Sequence, residues 1–213
     1  MRDPAPQLKL PSLYAIFDPE QTKTRPTETM LRALLEAGIE LLQLRAKVMA
    51  PESFFQLART ARRLTHGYDC RLIVNDRVDI ALACGADGVH LGQEDLPLTT
   101  ARKLMGNKII GISTHDFDQA LEAERSGADY IGFGPMFGTN TKNTGYSARG
   151  VEMLRAIRRS VSLPIVAIGG ITEANVTSVW QAGADSAAII SDILRAEDVT
   201  AKTRRIRSSH SVL

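Results

Sequence analysis

The sequence predicts an α/β fold, a single (β/α)8 TIM barrel, from three observations. Eight short apolar runs alternate strictly with eight helical segments. A small residue or cysteine followed by glycine recurs just before a strand at positions 37–40, 84–87, 126–129 and 182–185. The residues after the first run, Asp18-Pro19-Glu20, contain no glycine, whereas an open doubly wound sheet would place a GxGxxG loop there. Strands separated by helices are parallel. Eight of them can close on themselves, which removes both exposed edges.

The elements follow in order. Strands are expected at 13–17, 40–45, 71–74, 88–91, 109–113, 130–133, 164–168 and 186–190. Each is a short apolar run bounded by turn residues, the pattern of a buried strand. Helices are expected at 27–37, 51–65, 78–84, 99–105, 117–126, 148–160, 173–182 and about 193–205. The recurrent glycines, Gly38, Gly85, Gly127 and Gly183, fit helix C-terminal caps, which need positive φ. Their return at roughly every second unit is what a repeating barrel produces. Residues 1–11 hold three prolines and read as a flexible lead-in, 12–201 as the barrel, and 202–213, KTRRIRSSHSVL, as a basic tail. That tail suits either an acidic partner or a solvated, frayed end.

Composition excludes several classes of function. The 213 residues suffice for one domain with a sizeable core. Net charge is only +2, and the basic residues are dispersed until the tail, so nucleic acid is not an expected partner. No apolar run approaches the roughly 20 residues of a membrane helix. The N-terminal segment lacks the apolar core of a signal peptide, and the expected location is the cytoplasm. Cys70 and Cys84 have neither metal nor disulfide spacing. A homo-oligomer is compatible with the sequence.

In a barrel of this kind the chemistry sits at the carboxyl ends of the strands. The segment NDRVDIALACGADGVHLGQEDLP, 75–97, is the most informative there. It is a strand–helix–strand unit whose two strands both end in polar clusters, Asn75-Asp76 and Gln93-Glu94-Asp95. Carboxylates gathered on one face repel unless a cation lies between them, and hard oxygens suit Mg²⁺. Gln43, Arg45 and Lys47 close the second strand on one side of it. A fork, a point charge and an amide suit a phosphate, although an ion pair with Asp76 at the barrel mouth is the plain alternative. His90 is either a hydrogen-bonded core histidine or an acid–base group. Ser113, Thr114 and His115 end the fifth strand, with Asp116 as an N-cap. The loop 134–147, GPMFGTNTKNTGYS, carries Thr139, Thr141 and Lys142 and is long enough to cover a ligand. Gly169-Gly170 and Ser191 end the seventh and eighth strands, where backbone amides commonly bind phosphate. Two anion sites face to face imply transfer or condensation. A metal and cations around one of them imply a diphosphate leaving group, whose charge grows as it departs.

These residues carry a resemblance. LYAIFD, QLRAK, the 75–97 segment, GISTH, GADYIGFGPMFGTNTK, AIGGI and AAIIS together resemble the thiamine-phosphate synthase family over nearly the whole chain. The resemblance implies a transferase that joins 4-amino-2-methyl-5-hydroxymethylpyrimidine diphosphate to thiazole phosphate, with thiamine phosphate and pyrophosphate as products and Mg²⁺ as cofactor. It implies that Gln43, Arg45, Lys47, Asn75 and Lys142 bind the diphosphate, with Arg45, Lys47 and Lys142 in the catalytic role. It further implies Asp76 and Asp95 as the metal carboxylates and Ser113 on the pyrimidine. Thr139 and Thr141 would touch the thiazole and the leaving group, while Gly170, Ile190 and Ser191 would form the thiazole phosphate site. One departure stands out: the family usually has Glu or Asp where this chain has Ala46. Strand alternation turns residue 46 away from Arg45 and Lys47. The alternatives are a related thiazole tautomerase, which tends to lack the acidic pattern, and a non-catalytic ligand-binding barrel.

Overall fold

The computed structural model describes residues 8–22, 24–138 and 145–211. Eight parallel strands close into a barrel in sequence order: β1 Leu13–Phe17, β2 Leu41–Leu44, β3 Arg71–Asn75, β4 Gly88–Leu91, β5 Ile109–Thr114, β6 Tyr130–Phe133, β7 Ile165–Ile168 and β8 Ser186–Ile189. β8 returns to β1, with Leu13 beside Ala187 and Ala15 beside Ile189, so no edge is left to pair with another chain. Helices α1 Thr27–Glu36, α2 Pro51–Thr65, α3 Val78–Ala83, α4 Leu98–Met105, α5 Phe117–Arg125, α6 Gly150–Ser160 and α7 Val176–Gln181 alternate with the strands, followed by α8 Ser191–Leu194 and α9 Val199–His210.

The strands' two-residue period sorts their side chains into two cores. Outward residues such as Leu42, Leu44, Leu72, Val74, Ile110 and Ile131 are buried against the helices. Tyr14, Ile16, Leu41, Ile73, Tyr130, Val166 and Ala188 fill the barrel itself. Truncating one such outward leucine to alanine typically costs about 2–5 kcal/mol.

The echo in the sequence has a structural cause at the amino-terminal face. Its glycines do take positive φ, from 70° at Gly85 to 100° at Gly183. The aspartate two residues after the glycine recurs for a different reason. Asp87 Oδ2 accepts from Leu72 N at 2.8 Å and pairs with Arg62, which ends α2. Asp129 does the same with Ile110 N and Arg102, and Asp185 with Ile165 N and Arg158. Each carboxylate thus satisfies an N–H at the start of one strand, its first or second residue, and ties it to a helix.

The last helical stretch differs from expectation. One segment over about 193–205 is replaced by α8 and α9, because Asp198 accepts from Ala201 N at 2.8 Å and starts a new helix. Residues 202–210, expected as a separate tail, belong to α9, with Thr203 and Ile206 buried. Its basic side chains have local partners: Lys202 and Arg205 meet Glu173, Arg204 donates to the carbonyl of Glu36, and Arg207 to that of Ala37. Carbonyls ending a helix lack intrahelical partners, and guanidinium groups satisfy them here. Among the described residues no helix is long and apolar enough to cross a membrane.

Candidate functional site

One cavity of about 320 Å³ opens at the carboxyl ends of the strands. Gln43, Arg45, Asn75, His90, Ser113 and His115 line one part of it, and Gly169, Gly170, Ile190, Ser191 and Arg195 another. The fold therefore brings together residues from six strand ends that lie as much as 152 positions apart in the chain (Gln43 to Arg195).

β2 supplies the cationic side. Gln43 and Arg45 point inward, while Ala46 is buried in the layer between barrel and helices. Alternation thus carries residue 46 away from the cavity, as expected. The ion pair with Asp76 at the barrel mouth is present, and it is made by Lys47 rather than Arg45. Lys47 Nζ lies 2.8 Å from Asp76 Oδ2, but Arg45 pairs with Asp18, at the end of β1. Asp18 is fully buried, and its second oxygen accepts from Glu20 N at 3.0 Å. One carboxylate thereby fixes both the turn after β1 and the guanidinium. A guanidinium has five N–H donors, so others can still reach an anion in the cavity.

β3 and β4 supply the acidic side. Asp76 has φ 62°, a left-handed conformation that aspartate tolerates better than most residues, and its N–H donates to His90 O at 2.8 Å. Asp95 Oδ2 accepts from Gly92 N at 2.7 Å. Burial pushes the Asp95 carboxyl up from its usual range, and the neighbouring Asp76 carboxylate pushes it further. The two aspartates thus share a site. Glu94, the third acid of this stretch, is exposed. Among the described residues no group of three or more His, Cys, Asp or Glu side chains gathers in a form that could hold a metal by itself.

His90 is both buried and part of the wall, with Nδ1 3.0 Å from Tyr130 Oη and Nε2 2.9 Å from Ser113 Oγ. Asp116 caps α5 as expected, accepting from Gln119 N at 2.9 Å. His115 contacts the carbonyl of Gly134 through Nδ1 at 2.6 Å and stacks on Tyr146, with centroids 4.1 Å apart. Arg149 lies over the same ring at 4.9 Å.

Thr139, Thr141 and Lys142 fall outside the described residues. The stem of their loop is placed: Met136 N donates to Ile168 O and Phe137 N to Gly169 O, both at 2.9 Å. That pairing presses the stem onto the two glycines. Gly169 and Gly170 have φ 97° and 69°, and a Cβ on Gly170 would lie 2.6 Å from Gly138 O. Only glycine combines this conformation with so close an approach.

Sequence reasoning missed Asp18, Tyr14, Tyr130 and Arg195. The two tyrosines were within its reach, since period two places Tyr14 with Ile16 inside the barrel. Arg195 lines the cavity beyond β8 and donates to Gln21 Oε1 at 2.8 Å, a pairing with no signal in the sequence.

Comparisons with known proteins show the family to which the chain belongs. The family model for thiamine monophosphate synthase matches residues 13–193. A thiamine-phosphate synthase of Chloroflexus aurantiacus is 46% identical over 200 residues, covering 94% of this chain and 93% of that protein. One from Pyrococcus abyssi is 43% identical, covering 92% of each. Among solved structures, a thiamine phosphate pyrophosphorylase from Pyrococcus furiosus superposes with a TM-score of 0.87 at 41% identity, covering 95% of this chain and 96% of that one. A 3-hexulose-6-phosphate synthase, 18% identical with a TM-score of 0.71, shares the fold alone.

Proposed function

Since the chain belongs to the thiamine monophosphate synthase family, we propose the following division of labour for its condensation of the pyrimidine diphosphate with thiazole phosphate to thiamine phosphate. The observation that carries it is the single cavity, with cationic and amide side chains of β2 and β3 on one part of its wall and the Gly169-Gly170 backbone with Ser191 on another. Gln43, Arg45, Lys47 and Asn75, with Lys142 from the loop, bind the diphosphate. Ser113 faces the pyrimidine. Gly170, Ile190 and Ser191 hold the thiazole phosphate through backbone N–H groups and a hydroxyl, while Thr139 and Thr141 meet the thiazole and the leaving group.

The bond between the pyrimidine methylene carbon and the diphosphate oxygen breaks, and its electron pair leaves with pyrophosphate. The thiazole nitrogen then gives its lone pair to the methylene carbon. In this reading Arg45, Lys47 and Lys142 act on the negative charge that grows on the departing oxygens, so they favour the transition state over the bound substrate. Asp18 keeps Arg45 aimed into the cavity. Exclusion of water from the loaded cavity protects the cationic carbon.

Asp76 and Asp95 fit a hard divalent cation. They are adjacent oxygen donors, and burial first, then the neighbouring Asp76 carboxylate, push the Asp95 carboxyl up. Mg²⁺ is ordinarily held by one or two carboxylates together with substrate phosphates and water, so a third acid is not required. When bound there, Mg²⁺ neutralises charge on the diphosphate. The cytoplasm is the compartment we assign.

The test is pyrophosphate release by the purified protein on mixing both substrates with Mg²⁺. Release that needs both substrates and the metal supports the assignment. Release from neither combination would remove it.

A further inference from the structure

A chain of hydrogen bonds crosses the barrel beneath the cavity between two substrate-binding residues, Gln43 and Ser113, and its middle members, Tyr14, Tyr130 and His90, have no role in the reaction so far. Gln43 Nε2 donates to Tyr14 Oη at 3.1 Å, Tyr14 Oη lies 3.0 Å from Tyr130 Oη, and Tyr130 Oη lies 3.0 Å from His90 Nδ1. His90 Nε2 then lies 2.9 Å from Ser113 Oγ. The five residues come from β2, β1, β6, β4 and β5, and all point inward. Tyr14 and Tyr130 are 1% and 0% exposed, Gln43 3% and His90 8%. The tyrosine ring has room because Gly111 lies against it, where a Cβ would collide with Tyr130 Cζ and Oη.

We propose that this chain has a fixed direction, set at Gln43, and that Tyr14, Tyr130 and His90 are positioning residues that keep the Ser113 hydroxyl as a hydrogen-bond donor toward the pyrimidine substrate. The direction follows from the donor inventory. An amide nitrogen only donates, so Tyr14 accepts from Gln43. Tyr14 is sealed from solvent, and its remaining polar partner among the described residues is Tyr130. If Tyr14 accepted there too, its own hydrogen would be buried without an acceptor, which carries a heavy penalty. Tyr14 therefore donates to Tyr130. By the same reasoning Tyr130 donates to His90 Nδ1. A neutral imidazole that accepts at Nδ1 carries its proton on Nε2, and that proton goes to Ser113 Oγ. The Ser113 hydrogen is then directed away from His90, whose contact it already occupies as acceptor. Burial raises both phenol pKa values well above the ordinary range, so each tyrosine keeps the proton it donates. The links reinforce one another, as serial hydrogen bonds in a low-dielectric interior do.

The direction concerns the protein alone, whereas the part about the substrate rests on the pyrimidine reading of Ser113. Two measurements separate them. In the unliganded wild type labelled with ¹⁵N-histidine, at pH 7–8, the His90 resonances (identified by their loss in His90→Gln) should show an unprotonated Nδ1 and a protonated Nε2. A proton on Nδ1 would mean the reversed chain, with Ser113 held as an acceptor, and overturns the proposal. The second measurement is Tyr130→Phe, which removes one oxygen from the middle of the chain. It should raise KM for the pyrimidine diphosphate about tenfold, the loss of one well-placed hydrogen bond, and leave KM for thiazole phosphate unchanged. In a Ser113→Ala background the same substitution should add no further rise. Equal effects in both backgrounds would show that Tyr130 acts on packing alone and would remove the positioning role. If Tyr130→Phe does not fold, the wild-type nitrogen shifts still decide the direction. If the wild type turns over neither substrate, the functional reading fails while the tautomer stands or falls separately.

Discussion

Asp18→Asn is the most informative single substitution for the architecture of the cavity. The amide is isosteric and keeps an oxygen for Glu20 N, now 3.0 Å from Oδ1, so the turn after β1 should survive. On the other side an NH₂ group replaces the oxygen that receives Arg45, and two donors face each other. Asp18 is fully buried and the Arg45 side chain 11% exposed, so the stranded charge has little water to turn to. Removing one partner of a buried ion pair typically costs about 3–5 kcal/mol. Arg45 retains some access through the cavity, which points to the lower figure, about 3 kcal/mol. For a chain of this size that corresponds to a fall in Tm of roughly 6–12 °C. The assay is thermal and urea unfolding of Asp18→Asn, Arg45→Gln and the double variant. The singles should each lose stability, and the double should lose clearly less than their sum, with a coupling of about 1 kcal/mol or more. Asp18→Asn should also raise KM for the pyrimidine diphosphate, since Arg45 is no longer aimed. A loss under about 1 kcal/mol, as for an exposed pair, or strictly additive losses would refute the reasoning.

Three other predictions follow from the same geometry. Asp76→Asn and Asp95→Asn should each lower Mg²⁺-dependent turnover by more than about 10-fold, the smallest loss seen when even the partners that support metal ligands are removed; unchanged turnover with unchanged Mg²⁺ titration in both variants would dispose of the metal assignment. Asp129→Ala, at the opposite face, strands Ile110 N–H and Arg102. It should cost about 1–3 kcal/mol in urea unfolding and leave kcat unchanged, whereas a large fall in kcat would contradict the separation of the two faces. Ala46→Glu would push a carboxylate toward the buried layer behind β2, so stability should drop by on the order of 2 kcal/mol without a gain in kcat/KM. A tenfold gain in kcat/KM would show that residue 46 reaches the cationic side after all.

The sequence by itself determined the barrel and the face that carries the site. Short apolar runs, helices between them and a glycine at each echo are local features, and strict alternation then forces parallel strands whose carboxyl ends share one rim. Gln43, Arg45, Asn75 and Ser113 on that rim were legible for this reason, as were Gly169-Gly170 and Ser191. Which side chains pair was decided by tertiary structure, and of these pairings the sequence had offered only that of a β2 cation with Asp76. Arg45 meets Asp18, 27 positions earlier, while Lys47, two residues on, meets Asp76. Tyr14 meets Tyr130 across 116 positions, inside the barrel. Periodicity states which side of a strand a residue faces. It does not state which residue stands opposite, because that depends on strand register and on the reach of each side chain across the closed barrel. The division of the last helix also lay outside the sequence reading: Asp198 starts α9 by accepting from Ala201 N, and α9 docks against α1.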